Sequence, residues 1–404
     1  MGFSWNIKKA GYRVYQEALG VGVKLINFPN QLVLSGNGTL VQAADILKKQ
    51  GAKSVFITCS RSVHRHGLMD GMLAALDEGF IKYTIFEDIN ANPTTANVDA
   101  GYELYKANGC DSIITIGGGS PMDCAKGIGL RVTNPELSYE DMRSMLKIHH
   151  RVPFMIAVPT TAGTGSESTV AAVISNPEKH DKYAIVSPKL MPHCVILDAG
   201  LTTGLPADFT AYTGMDALTH AIEAYIGIID TKLTDREALR AIKLTLKYLS
   251  KAFDTPNDLE AREKMLVASN KAGIAFTRVY VGYVHSFSHA MSALYNVGHG
   301  KTNAIILPYM LDFYGASIYK KMGEIARYCG IKGDSDKELC EKLIATIRSM
   351  NERFGIPTYV EEISESDIDT IVKKALHEGN PGYPVPKIMN YDEGVELVKK
   401  LMKK

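Results

Sequence analysis

SIITIGGGSPMDCAK, residues 112–126, runs from a β-branched apolar segment through three consecutive glycines into a helix pattern. Consecutive glycines let a backbone turn sharply and approach a ligand closely. Pro121 suits the first turn of a helix, and the unpaired N–H groups beside it attract anions. The stretch therefore reads as a strand, a pyrophosphate-cradling loop at Gly117, Gly118, Gly119 and Ser120, and a helix. It matches neither the G-x-G-x-x-G fingerprint nor the P-loop.

Working outward, further β-branched runs occur at 53–60 (KSVFITCS), 83–88 (YTIFED), 154–161 (FMIAVPTT), 182–188 (KYAIVSP) and 194–200 (CVILDAG). Helical patterns at 41–50, 67–79, 95–108 and 121–130 separate several of them. Apolar runs alternating with amphipathic helices predict a parallel sheet covered by helices on its faces. Ligands of such sheets bind beyond the C-terminal ends of the strands, where these runs end in Gly, Ser or Thr. From about residue 205 the β-branched runs nearly vanish and helical spacing continues to 390–403. A Pro/Gly-rich stretch, EGNPGYPVPK at 378–387, is expected to be a surface loop. The fold class is thus α/β plus all-α, with an α/β dinucleotide-binding domain over 1–204 and an all-helical domain over 205–404.

Composition narrows the partners. The 404 residues are 46% hydrophobic and 22% charged, with 45 Lys+Arg against 44 Asp+Glu. Without a basic excess the chain is not expected to bind nucleic acid or a membrane surface. High apolar content with low net charge excludes disorder. No signal peptide and no long apolar span is found, and the 6 cysteines form no C-x-x-C pair. A soluble cytoplasmic protein with reduced thiols is expected.

Two further constellations carry chemistry. PTTAGTGSE (159–167) follows the 154–158 run, and its hydroxyls and glycines suit ribose or phosphate contacts. In the helical half, Asp216 and His220 are spaced i,i+4, as are His285 and His289, and His299 follows between Gly298 and Gly300. Such pairs share one helix face. One carboxylate and three neutral imidazoles make a divalent site with room for a substrate oxygen. Five candidates exceed a four-ligand set, so one of His285 and His289 is left for a supporting or proton-handling role.

Taken in order, Asn92-Pro93-Thr94, GGGSPMDCAK, PTTAGTGSE, GMDALTHAIEAY, HSFSHAM and GHG resemble the iron-containing (group III) alcohol dehydrogenases. The resemblance covers nearly the whole chain from about residue 30. It implies the dehydroquinate synthase-like fold of that family, with Fe(2+), or Zn(2+) as runner-up, on Asp216, His220, His285 and His299. It makes His289 the nearby proton-relay group. It assigns Gly117–Ser120 to the pyrophosphate, Asn92, Asp123, Thr160 and Thr161 to further cofactor contacts, and Lys182 to a cofactor-reaching lysine. The implied reaction interconverts a small primary alcohol and its aldehyde in a homo-oligomer.

Two departures stand out. Residues 1–30 have no clear counterpart, and an added helix or an oligomer contact is expected there. After the first sheet strand, Cys59 occupies the place where NAD-preferring members carry an Asp that would repel a 2′-phosphate. With Ser60, Arg61 and Arg65 beside it, this favours NADP(H) over NAD(H). Three other readings compete: a zinc polyol dehydrogenase or cyclising synthase on the same scaffold, a hydroxyacid–oxoacid transhydrogenase, and a non-catalytic assembly protein. The complete Asp/His/His/His series favours the iron alcohol dehydrogenases. The substrate wall is expected near Phe276, Phe287, Tyr295 and the 378–387 loop.

Overall fold

The computed structural model describes residues 2–179 and 181–403, the side chains of residues 2–4, 181 and 182 excepted. The chain opens with α1 (Gly2–Leu25) and continues through β1 (Leu32–Ser35), α2 (Gln42–Lys49), β2 (Ser54–Cys59), α3 (Arg61–Arg65), α4 (Asp70–Glu78) and β3 (Lys82–Phe86). Next come α5 (Thr95–Ala107), β4 (Ser112–Gly117), α6 (Gly119–Thr133), α7 (Tyr139–Met142), β5 (Phe154–Pro159), β6 (Ala171–Asn176), β7 (Asp181–Val186) and β8 (Cys194–Leu197).

A six-stranded sheet has the order β1-β8-β5-β4-β2-β3, every pair parallel. Its central strands β2 and β4 are buried along their whole length, which is why they read as unbroken apolar runs. Ile57, Ile114 and Ile156 stand in register across β2, β4 and β5. One hydrophobic cluster covers one set of these side chains with Leu47, Met72 and Leu76. The other set packs with Val98, Tyr105, Ile128 and Tyr183. The strand order reverses between β2 and β4, so the C-terminal ends carrying Cys59 and Gly117 flank the switch point where ligands of such sheets bind.

The 182–188 run is not part of this sheet. It forms β7, which pairs antiparallel with β6 in a separate two-stranded ribbon. β1, with three of its four residues exposed, has no burial pattern to announce it.

The remaining helices are α8 (Ala207–Ile226), α9 (Lys232–Asp254), α10 (Leu259–Val279), α11 (Tyr283–Tyr295), α12 (His299–Tyr314), α13 (Tyr319–Tyr328), α14 (Asp336–Arg353), α15 (Ile368–Gly379) and α16 (Tyr391–Leu401). No helix is long and apolar enough to cross a membrane among the described residues.

The chain divides into a sheet unit, Asn27–Leu205 with Asn257–Asn270, and a helical unit formed by the N-terminal residues through Ile26, Pro206–Pro256 and the residues from Lys271 onward. One boundary between the units falls at Leu205–Pro206, while the residues through Ile26 and Asn257–Asn270 depart from chain order. Residues before 27 group with the helices because Arg13 and Gln16 of α1 donate to the backbone carbonyls of Tyr383, Val385 and Pro386. Residues 257–270 group with the sheet, where Glu263 accepts from Ser35 Oγ at 2.9 Å and Asn270 donates to Ser168 Oγ at 2.5 Å.

Candidate active site

The glycine loop joins β4 to α6 as the sequence suggests, with the helix starting at Gly119 and Pro121 inside its first turn. Gly117 sits at φ +154°, and a Cβ there would lie 2.7 Å from Pro121 Cγ. Only glycine meets both conditions. Thr160 N donates to the Gly117 carbonyl at 3.0 Å, and Thr161 Oγ1 lies 3.4 Å from where a Gly118 Cβ would be. Ser120 Oγ donates to the Ala91 carbonyl, which draws the exposed Asn92 segment to the same helix end. The structure thus gathers Gly117–Ser120, Asn92, Thr160 and Thr161 around the α6 N-terminus, whose free N–H groups favour an anion.

Other candidates take different places. Both oxygens of Asp123 are engaged, accepting from Ser166 Oγ and Val173 N at 3.1 Å each, so this carboxylate braces the 160–171 loop. Lys126 does the same from complete burial. Its Nζ donates to the carbonyls of Ser166 and Ala171 at 2.7 and 2.9 Å and to Thr169 Oγ1 at 2.8 Å. Burial pushes the Lys126 ammonium down to about 8 and the neighbouring Glu167 carboxyl up to about 7. Cys59 ends β2 completely buried, and burial raises its thiol. Arg61 pairs with Asp88 at 2.7 Å on the surface. Lys182 lies on β7 opposite Ser175, with its side chain outside the described residues.

The second constellation lies wholly in the helical unit. On α8, Asp216, His220 and Glu223 recur at helical spacing and are all buried. His285 and His289 stand one turn apart on α11, and His299 opens α12. Gly300 lets that first turn pass against α8, since a Cβ would lie 2.6 Å from the Tyr212 carbonyl oxygen. One ligand atom each from Asp216, His220, His285 and His299 falls within 4.8 Å of all the others. His289 is not in this set. Its ring stacks on His299 with centroids 5.1 Å apart, and Nδ1 lies 2.6 Å from Glu378 Oε1.

The inner nitrogens of His285 and His299 are each aimed by a partner on the far side of the ring. Glu223 Oε2 holds His285 Nδ1 at 2.5 Å, and Ser288 Oγ lies 3.3 Å from His299 Nδ1. His220 stacks on Phe276 with centroids 4.2 Å apart. Burial keeps His285 and His299 neutral, the latter lowered to about 4. Neutral imidazole is the ligating form. Asn303 Nδ2 donates into the centre of the cluster, 2.7 Å from Asp216 Oδ1, 3.2 Å from His285 Nε2 and 3.0 Å from His299 Nε2. These are the lone pairs an ion would take, while Asn303 Oδ1 is buried without a hydrogen-bond partner among the described residues. Ligands about 2.0–2.2 Å from an ion lie at most about 4.4 Å apart, so a small inward shift closes the set on a divalent cation.

Glu223 and Asn303 are functional candidates that motif reading missed, although each is legible as a neighbour on its helix. Glu223 lies three residues after His220, and Asn303 lies four after His299. Of the expected substrate-wall residues, Phe276 touches the cluster. Phe287 is buried in the core, and Tyr295 donates to Asp367 Oδ2 at 2.8 Å.

Residues 30–199 match the family model described as iron-containing alcohol dehydrogenase, and residues 210–402 match the C-terminal model of the Fe-containing alcohol dehydrogenase family. The 1,3-propanediol dehydrogenase of Klebsiella pneumoniae is 37% identical over 82% of this chain and 87% of that protein. The NADPH-dependent butanol dehydrogenase of Clostridium saccharobutylicum is 32% identical over 89% of this chain and 93% of that protein. A crystal structure of a 1,3-propanediol oxidoreductase superposes with a TM-score of 0.88 at 34% identity, covering 93% of this chain and 100% of that one. A parallel sheet with a glycine-rich loop at its switch point, a largely buried Asp/His/His/His cluster and these likenesses define an alcohol oxidoreductase. The chain belongs to the iron-containing alcohol dehydrogenase family.

Proposed function

We propose that this protein interconverts a small primary alcohol and its aldehyde, using a divalent ion on Asp216, His220, His285 and His299 and a nicotinamide dinucleotide on the Gly117–Ser120 loop with Asn92, Thr160 and Thr161. The observation that carries the reading is the convergence of one carboxylate and three imidazoles within 4.8 Å, with Asp216, His220 and His285 buried and His299 partly so, in a chain of this family. When bound, the ion supplies Lewis acidity toward an alcohol or carbonyl oxygen, and the nicotinamide supplies hydride exchange.

The chain's own residues set the conditions. Asp216 brings one negative charge, and the neutral rings of His285 and His299 leave much of the ion's charge to a substrate oxygen. Phe276 shields one side of His220. His289, with 45% of its side chain accessible, is the group that accepts and returns the hydroxyl proton.

Iron is the preferred ion and zinc the runner-up, on the family reading. NADP(H) is favoured over NAD(H), because β2 ends in the uncharged Cys59 and is followed by Arg61 and Arg65. The butanol dehydrogenase relative is likewise named for NADPH. All six cysteines are free, which supports a reducing, cytoplasmic setting. The homo-oligomer expected from the family is checked by light scattering.

The deciding experiment follows reduced-nicotinamide absorbance over a panel of short alcohols and aldehydes, with each cofactor, in ferrous-loaded and chelator-treated protein. Turnover confined to the loaded protein is expected. Absence of turnover on every substrate with both cofactors in loaded protein overturns the proposal.

A further inference from the structure

α1 lies outside the stretch that matches the family, which begins at residue 30, yet its side chains reach the loop that holds His289. Gln16, fully buried at mid-helix, donates Nε2 to the Tyr383 carbonyl at 2.6 Å. Arg13 donates to the carbonyls of Val385 and Pro386 at 2.8 and 3.2 Å, and to Gln16 Oε1 at 2.9 Å. The loop they grip is rich in proline, which contributes no N–H of its own, so its carbonyls depend on donors from elsewhere. At the other end of Tyr383 the phenol donates to Glu378 Oε1 at 2.6 Å, and the same oxygen lies 2.6 Å from His289 Nδ1.

We infer that α1 is a strap that positions the proton-handling His289, acting from Gln16 and Arg13 through Tyr383 and Glu378. The inference rests on the role of His289 in the proposed reaction. A carboxylate only accepts hydrogen bonds, so the ring proton facing Glu378 sits on Nδ1. That fixes one tautomer and leaves Nε2 as the acceptor for a substrate proton. An imidazole this exposed, released from Glu378, would exchange tautomers and rotamers and spend less time in the productive arrangement. Glu378, Tyr383, Gln16 and Arg13 are positioning residues in this account. None of them is in the metal-ligand set.

The test uses the full chain and four variants: Glu378→Gln, Glu378→Asp, Gln16→Met and, as a control on the exposed surface of α1, Lys24→Ala. Gln16→Met keeps the side-chain volume and removes the donor, so the fold is preserved. Steady-state kinetics give kcat and KM separately, metal content is measured in each protein, and nitrogen-15 NMR of histidine rings in zinc-loaded protein reports the His289 tautomer.

Glu378→Gln is expected to lose about tenfold or more in kcat at unchanged metal content, with the Nδ1–H signature of His289 replaced by a mixture. Glu378→Asp should recover part of both. Gln16→Met should lower kcat by about three- to tenfold and weaken the same signature, while Lys24→Ala changes neither. An unchanged tautomer and kcat in folded Gln16→Met overturn the inference, as does a loss explained by missing metal. If the parent protein turns over no alcohol, the proposed function fails. The tautomer readout still decides whether α1 holds the ring.

Discussion

Glu223 Oε2 stands 2.5 Å from His285 Nδ1 with both side chains buried, and the other carboxylate oxygen accepts from Val284 N at 2.8 Å. One carboxylate therefore ties the first turn of α11 to α8 and turns His285 Nε2 toward Asp216. Burial raises the Glu223 carboxyl to about 8. Glu223→Ala should leave the imidazole N–H unpaired and the ring free to turn. Affinity for a divalent ion is expected to fall about 10- to 100-fold, read by competition with a chromophoric chelator. An unchanged dissociation constant would mean that the packing of α11, and not Glu223, orients the ring.

Ligand and neighbour are separated by what the ion does to stability. An ion that binds the folded chain at 100 times its dissociation constant adds about 2.7 kcal/mol, which is about 5–10 °C in Tm for a unit of this size. The wild-type chain should show that shift on adding zinc or ferrous ion. Asp216→Ala and His220→Ala should abolish it, and His289→Ala should keep it. A shift lost in His289→Ala and kept in His285→Ala would exchange the two histidines' roles.

That exchange marks the limit of what spacing alone reveals. The i,i+4 pairs Asp216/His220 and His285/His289 were legible because helical geometry sets which side chains share a face. Which of His285 and His289 joins the cluster depends on α8 and α12, brought alongside by folding, so the choice came from the family resemblance. Glu378 lies 89 residues from His289, in a segment whose composition signals only a turn. Gln16 and Arg13 serve distant carbonyls, and hydrogen-bond partners at that separation leave no periodic trace. The buried strands β2, β4 and β5 announced themselves through apolar runs. The edge strand β1, largely exposed, did not.

The glycine loop yields a steric prediction. Gly117→Ala places a side chain at φ +154° with its Cβ 2.7 Å from Pro121 Cγ. The loop must shift, at a cost of about 1–3 kcal/mol. Because Thr160 is bonded to this same peptide, the proposed phosphate cradle shifts with it. Affinity for reduced nicotinamide dinucleotide, followed by its fluorescence on binding, should fall at least about tenfold, while zinc affinity is unchanged. Equal cofactor binding in the variant would remove the loop from the cofactor site.

Glu167 gives the sheet unit a pH-dependent weakness. It is fully buried beside Asn270, whose Nδ2 lies 3.4 Å away, and burial raises its carboxyl from 4.5 to about 7. Between those values the folded chain binds the proton more tightly than the unfolded chain, so the folded state carries more protons. The slope of unfolding free energy with pH is then negative, and stability falls as pH rises from about 4.5 to 7 and levels off above. At one pKa unit per 1.36 kcal/mol, this group's share approaches about 3 kcal/mol. Glu167→Gln, which keeps the shape and cannot ionise, removes that share. Urea unfolding of both proteins at pH 5 and pH 8 should show the wild type losing more stability than the variant across the interval, since every other titrating group is common to the two. Parallel losses would show that Glu167 stays in one protonation state throughout, held there by Lys126, whose charge opposes the burial.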